Sequence, residues 1–206
     1  MTAPRRAKLE EEAFLRRRVK AELRRRMRGV RATLPASARD EKSRAIAVQL
    51  LALPALARAK TAALFWPMEG RNEIDLRPVD ASLRERGVRV AYPKTDVDTG
   101  ALSFHFVEQP AAMCAGALGV CEPGESDPAV ATDPLDVIVV PALAVDPRGH
   151  RIGYGAGYYD RALARLAPPA VAVAVAFDFQ LLVELPNTPE DVPVAFVVTE
   201  SRTLTT

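Results

Sequence analysis

Between Asp136 and Pro141 the chain runs Val-Ile-Val-Val, four β-branched residues without a polar interruption. A strand with one wet face alternates polar and apolar side chains; a strand that does not alternate must be covered on both faces. Such a strand belongs inside a sheet, and the usual cover is a layer of helices that also connect parallel strands. The rest of the sequence supplies those elements. KTAALFW (60–66) reads as a strand, DLRPVDASLRERG (75–87) as a helix ending at Gly87, and VRVAY (88–92) as a strand closed by Pro93. ALSFHFV (101–107) alternates Leu102, Phe104 and Phe106 on one face, as a half-buried strand should. Residues 108–134, rich in Pro, Gly, Glu and Asp, read mostly as loop. Helical spacing returns over 158–166, and VAVAVA (171–176) and VAFVV (194–198) are further strands. Strand and helix in alternation, with buried strands, predict an α/β sandwich around a largely parallel sheet.

The segment ahead of this series differs in kind. Residues 1–31 hold 12 Lys/Arg against 4 Asp/Glu, and the rest of the chain holds 16 against 22. The net charge of +2 therefore conceals a basic arm on a mildly acidic body. The arm predicts a long helix from about Arg5 to Leu34, stopped by Pro35. Leu15, Val19, Leu23, Met27, Val30 and Leu34 recur at spacings of three and four and make an apolar docking stripe. Lys20, Arg24, Arg28 and Arg31 keep the same spacings about a quarter-turn or more around the helix, forming a ridge of cations. A second helix is expected from near Ser37, with Asp40 at the capping-box position, to about Ala52. On charge alone such a ridge is more often a solvated face than a ligand site. A nucleic-acid-binding arm is the rival of a different class, disfavoured because these cations flank an apolar docking stripe. No apolar run approaches the roughly 18 residues needed to span a membrane, and MTAPRRAKLEEE lacks the apolar core of a secretory signal. Cys114 and Cys121 are too widely spaced for a CxxC metal site or a disulfide framework. A cytoplasmic protein is expected.

The chemistry concentrates in GHRIGYGAGYYDR, residues 149–161, which spends four of the chain's 11 glycines within nine positions. The segment lies in the connection between the buried strand 136–141 and the helix at 158, where parallel α/β sheets bind their ligands. Glycines there let the backbone approach a ligand and aim N–H groups at it, which suits phosphate oxygens, and the helix start adds its positive dipole end. Arg151 offers a charged fork for phosphates; Asp160 has the wrong sign for a phosphate and the right one for its Mg²⁺. No GK[ST] follows, so this is not a Walker A loop, and the spacing is not that of a dinucleotide fingerprint. A tight glycine turn packed on the core remains the plainer alternative, and at least one of Tyr158 and Tyr159 reads as a core aromatic.

The whole run VIVVPALAVDPRGHRIGYGAGYYDR, with GVCEPGE upstream and VVTE downstream, resembles the 5-formyltetrahydrofolate cyclo-ligases, also called 5,10-methenyltetrahydrofolate synthetases. KAELRRRMRGVR is similar to that family's Lys-x-x-x-Arg helix and MEGRNEID to its Glu-containing substrate segment. The resemblance implies one domain over 1–206, a three-layer sandwich with a Rossmann-like sheet, and ATP- and Mg²⁺-dependent closure of 5-formyltetrahydrofolate to the 5,10-methenyl form. It further implies ATP contacts at Lys20, Arg24, Arg151, Gly153, Tyr154, Gly155, Ala156, Gly157, Tyr158 and Tyr159. Folate contacts would fall at Arg24, Met68, Glu73, Tyr154, Gly155 and Tyr158, Mg²⁺ on Asp160 and Asp191, and catalysis on Arg24, Arg151 and Tyr158. The partners implied are these two small molecules, with no nucleic acid, no membrane and a monomeric state. A relative that binds nucleotide without closing the ring is the nearer alternative. The sequence departs from the family pattern at Val145, Ala156, Leu76 and Glu190; the last puts a second negative charge beside Asp191.

Overall fold

The computed structural model describes residues 3–116, 119–130 and 134–206, with side chains at 3–7 and 9 left aside. Seven strands form the main sheet: β1 Thr61–Ala63, β2 Arg89–Asp96, β3 Ala101–Phe106, β4 Val137–Pro141, β5 Val171–Val175, β6 Phe196–Val198 and β7 Thr203–Thr205. Their order is β7-β6-β5-β4-β1-β2-β3, which puts the uninterrupted β-branched run in the middle. The inner five strands pair in parallel and each edge strand antiparallel. Val137 and Val139 face one core with Ile46, Leu50, Leu56, Val79 and Leu83. These come from helices α2 Ala36–Leu51, α3 Pro54–Arg58 and α4 Arg77–Glu85. Ile138 and Val140 face the other core with Ala162 and Leu163 of helix α5, Tyr158–Leu166. Both faces of β4 are thus dry, the condition its sequence demanded. Each fully buried leucine of these layers contributes about 1.5–3 kcal/mol of apolar burial.

Several boundaries differ from expectation. β2 continues through Pro93 to Asp96. Pro93 faces Phe104 across β3, and Phe104 and Phe106 turn their own backbone groups outward, toward Val130 and Pro128. The missing N–H of Pro93 therefore costs β3 nothing, and β1, whose pairing ends at Ala91, no longer needs it. Helix α2 starts one residue ahead of Ser37 with Pro35 at its N-cap and no side-chain cap; Asp40 is occupied by Arg39 at 2.7 Å. Two short hairpins interrupt the expected loops. One pairs Cys114–Ala115 with Cys121–Glu122, and the other pairs Ala144–Val145 with Arg151–Ile152. The second is pinned by Asp146, fully buried, which accepts from the N–H groups of Arg148, His150 and Leu185 at 2.9–3.1 Å.

Helix α1 spans Ala3–Ala32 and docks on that hairpin through only part of its predicted stripe. Met27 is buried with Leu143, Ala144 and Ile152, and Leu23 packs partly against them. Leu15, Val19 and Val30 stay largely exposed, at 50%, 48% and 41%. Asn72, at φ 48°, donates its side-chain amide to the carbonyls of Arg31 and Leu34 at 3.0 Å each, closing the end of α1. From β1 the chain steps to β2 on one side, then returns to β4 on the other. The carboxyl ends of β1 and β4 consequently part, and a crevice opens between them.

A candidate active site at the switch point

A cavity of about 580 Å³ fills this crevice, a size common for small-molecule sites. Phe65 and Trp66 at the end of β1 and Pro141 at the end of β4 make its apolar floor. Every residue expected at the site lines it: Lys20 and Arg24 of α1, Met68 and Glu73 after β1, Arg151 through Asp160, and Asp191. The ridge of cations is the face of α1 that turns inward, while the outer half of the apolar stripe stays in solvent.

The glycine run forms one wall together with the inward face of α1. Gly155 has φ +113° and Gly157 φ +71°, conformations that a side chain would strain. A Cβ at Gly155 would also come within 3.3 Å of the Arg24 guanidinium, so glycine there lets the arginine lie on the loop. Arg24 Nε donates to the Gly153 carbonyl at 3.0 Å. Burial, then the neighbouring Arg28, lowers the pKa of the Arg24 guanidinium, so a second positive charge is already unwelcome there and an anion is favoured. Gly157 is the N-cap of α5, which begins without a side-chain cap. Its first N–H groups have no intrahelical acceptors, an arrangement suited to anions.

Two carboxylates and two cations brace this wall. Arg151 is buried; its Nη1 donates to Asp160 Oδ1 at 3.0 Å and to the Val192 carbonyl at 3.3 Å, and its buried Nη2 has no partner among the described residues. Burial lowers the Arg151 pKa while Asp160 opposes the shift. Lys20 donates to Asp191 Oδ2 at 2.5 Å, and the same oxygen accepts from the Thr188 N–H at 2.6 Å. Burial works to raise the Asp191 pKa, but Lys20 and Thr188 outweigh it and hold the carboxyl below its usual range. Glu190 is exposed and lies outside the cavity lining. Among the described residues no cluster of three or more His, Cys, Asp or Glu side chains stands ready for a metal ion.

The other side of the cavity centres on Glu73, 5% exposed. Its Oε2 accepts from the Met68 N–H at 2.9 Å and its Oε1 from the Tyr154 hydroxyl at 2.7 Å. Arg31 donates to the same hydroxyl and lies 3.5 Å from Oε1. Burial, then the charge of Glu73, pushes the Tyr154 phenol up to about 12. Burial likewise raises Tyr159, which packs with Tyr158 on the α5 core, so both tyrosines serve core and cavity at once. Arg28, Arg71, Trp66 and Glu122 also line the cavity without having been assigned a part. Arg28 was visible on the ridge and Glu122 within GVCEPGE, but nothing in their spacing marked them as wall residues.

These features define an α/β protein whose glycine loop, helix N-terminus and converging cations form an anion-accepting cavity at the sheet's switch point. Residues 16–200 match the model of the 5-formyltetrahydrofolate cyclo-ligase family. The chain belongs to that family, and so to the ligases of folate one-carbon metabolism. It is 30% identical over 175 residues to the 5-formyltetrahydrofolate cyclo-ligase of Escherichia coli K12, covering 84% of this chain and 95% of that one. The Mycolicibacterium smegmatis cyclo-ligase is 39% identical over 125 residues, 59% of this chain and 64% of its own length. The solved structure of Aquifex aeolicus 5,10-methenyltetrahydrofolate synthetase superposes with a TM-score of 0.78 at 34% identity, covering 91% of this chain and 92% of that one. Among the described residues no helix is long and apolar enough to cross a membrane.

Proposed function

We propose that this protein closes 5-formyltetrahydrofolate to 5,10-methenyltetrahydrofolate at the expense of ATP. The observation that carries the reading is the convergence on one cavity of a phosphate-type wall and a buried carboxylate. The wall comprises Lys20, Arg24, Arg151 and the loop 153–157, and the carboxylate is Glu73.

In the proposed reaction the formyl oxygen attacks the γ-phosphorus, an O–P bond forms, and the bond to the β–γ bridging oxygen breaks to release ADP. N10 of the folate then attacks the activated formyl carbon. The C–O bond breaks, phosphate leaves with the former formyl oxygen, and N10 gives up its proton. Phosphoryl transfer through a loose transition state asks for positioning and charge neutralisation more than for covalent help. Arg24, Arg151 with its unpartnered Nη2, and the first N–H groups of α5 supply that neutralisation from fixed positions. Tyr158, on the same wall, takes part in orienting the phosphates. Glu73 and Met68 hold the folate, the carboxylate accepting from its ring N–H groups.

Mg²⁺ bound to ATP takes only one or two protein carboxylates beside phosphate and water. Asp160 and Asp191 fit that use, since each spends one oxygen on protein donors and both line the cavity. Bound there, the ion would offset phosphate charge. Against the nucleic-acid alternative, Lys20, Arg24 and Arg31 bond to the body, while Arg17, Arg18, Arg25, Arg26 and Arg28 of the arm stay exposed.

The test is to incubate the protein with 5-formyltetrahydrofolate and Mg-ATP. Methenyl absorbance and ADP should grow in equal amounts; ATP consumption without folate, or no product at all, would overturn the proposal.

A further inference from the structure

Among the described side chains of α1, Arg31 is the most deeply buried cation, with 4% exposure, and it meets the phosphate wall only through the Tyr154 hydroxyl. A buried guanidinium is costly unless its charge is matched, and here the match is Glu73, 42 positions away, with the Tyr154 hydroxyl between them. The hydroxyl accepts from Arg31 and donates to Glu73 Oε1, so three side chains from α1, the post-β1 turn and the glycine loop form one unit. Asn72 draws the turn that precedes Glu73 onto the end of α1, which brings the three into register. With Oε2 fixed by the Met68 N–H, both carboxylate oxygens are oriented before any substrate arrives.

We infer that Arg31 is a positioning residue for folate: through Tyr154 it aims the Glu73 carboxylate into the cavity and supplies its counter-charge. The inference rests on the reading of Glu73 as the folate contact. It predicts that Arg31 acts chiefly on folate affinity and far less on ATP affinity, since it meets the phosphate wall only at the Tyr154 hydroxyl, on the side turned to Glu73.

Trp66, the chain's one tryptophan, lines the same cavity, so its fluorescence reports folate binding without turnover. Titration of the wild-type protein with 5-formyltetrahydrofolate, beside steady-state kinetics, sets the reference. Arg31→Met should weaken folate binding and raise its KM on the order of 10-fold, as loss of a charge-assisted hydrogen-bond partner does, with the ATP KM within about twofold. Arg31→Lys should recover part of the affinity, because one ammonium can face one carboxylate oxygen without reproducing the guanidinium fork. Arg31→Lys keeps the buried charge and decides the matter if Arg31→Met does not fold, by a raised folate KM beside an ATP KM within about twofold of wild type. Wild-type folate affinity in Arg31→Met, or in Arg31→Lys where that variant must decide, overturns the inference even while turnover continues. An inactive wild-type protein whose Trp66 does not respond to folate overturns the functional reading itself.

Discussion

Two ion pairs tie α1 to the body at opposite sides of one cavity, and they are built differently. Arg31 and Glu73 have side-chain exposures of 5% and 4%, stand 3.5 Å apart, and share a tyrosine hydroxyl. Lys20 and Asp191 meet directly at 2.5 Å, with exposures of 13% and 18%. The first pair is enclosed and mediated, so it is a permanent fixture: opening it would strand a charge away from water. The second lies in the wall where phosphates are proposed to bind, and its lysine can exchange a carboxylate for a phosphate oxygen with water to assist. On the proposed assignment, preorganised charge thus sits on the folate side and exchangeable charge on the nucleotide side. Arg24 lies next to the second pair and spends its Nε on the Gly153 carbonyl.

That contrast is sharpened first by Arg24→Ala. Turnover should fall on the order of 10²-fold, as when one preorganised donor to a transition state is removed, with the fold intact because Leu23 and Met27 still dock α1. Arg25→Ala should change little, since Arg25 is exposed and paired with Glu22 on the outer face. Equal effects in kinetic assays would mean that the inward ridge is no more than a solvated face.

The carboxylates come next. Asp160→Asn should raise the Mg²⁺ concentration for half-maximal rate the most, because it also loosens the buried Arg151. Asp191→Asn should raise it less, and Glu190→Gln, exposed and off the wall, least. A metal titration in which Asp160→Asn matches wild type would make that residue a brace for Arg151 alone.

The smallest effect concerns pH. The folded-state pKa of Asp191 lies below its ordinary 3.8, so the Lys20 pair contributes stability that is complete well above pH 3.8. That contribution is lost as the pH falls through the lower, folded value. Thermal melts should therefore show wild type and Asp191→Asn converging on acidification from about pH 6 to about pH 2. A gap that stays constant would show that Asp191 stabilises through its bonds to Thr188 in either protonation state.

Much of the architecture was legible because burial writes itself into residue type. The run 137–140 announced a strand dry on both faces, and the periodicity of 158–166 located α5, since core-facing side chains recur with the geometry of the element. Elements too short to show a period were not legible: the two-residue strands at 144–145 and 151–152, and β7 at 203–205. The stripe on α1 shows the converse limit. Spacing told which residues share a face, but not that Leu15, Val19 and Val30 would stay exposed while Met27 is buried.

The site divides along the same line. The glycines, the cations at helical spacing and the acids after the loop stood in the sequence because their chemistry is carried by residue type and local order. Lys20 beside Asp191, 171 positions on, and Arg31 beside Tyr154, 123 positions on, could not be read there. Such pairs depend on the rotation and depth at which α1 packs on the hairpin that Asp146 pins, and a chain encodes that only through its sum of contacts. By itself the sequence determined which groups could bind an anion and which strand had to be central. Only the tertiary structure decided that the basic ridge faces inward, because charge in a helix is free to point to water until a cavity of opposite need is placed beneath it.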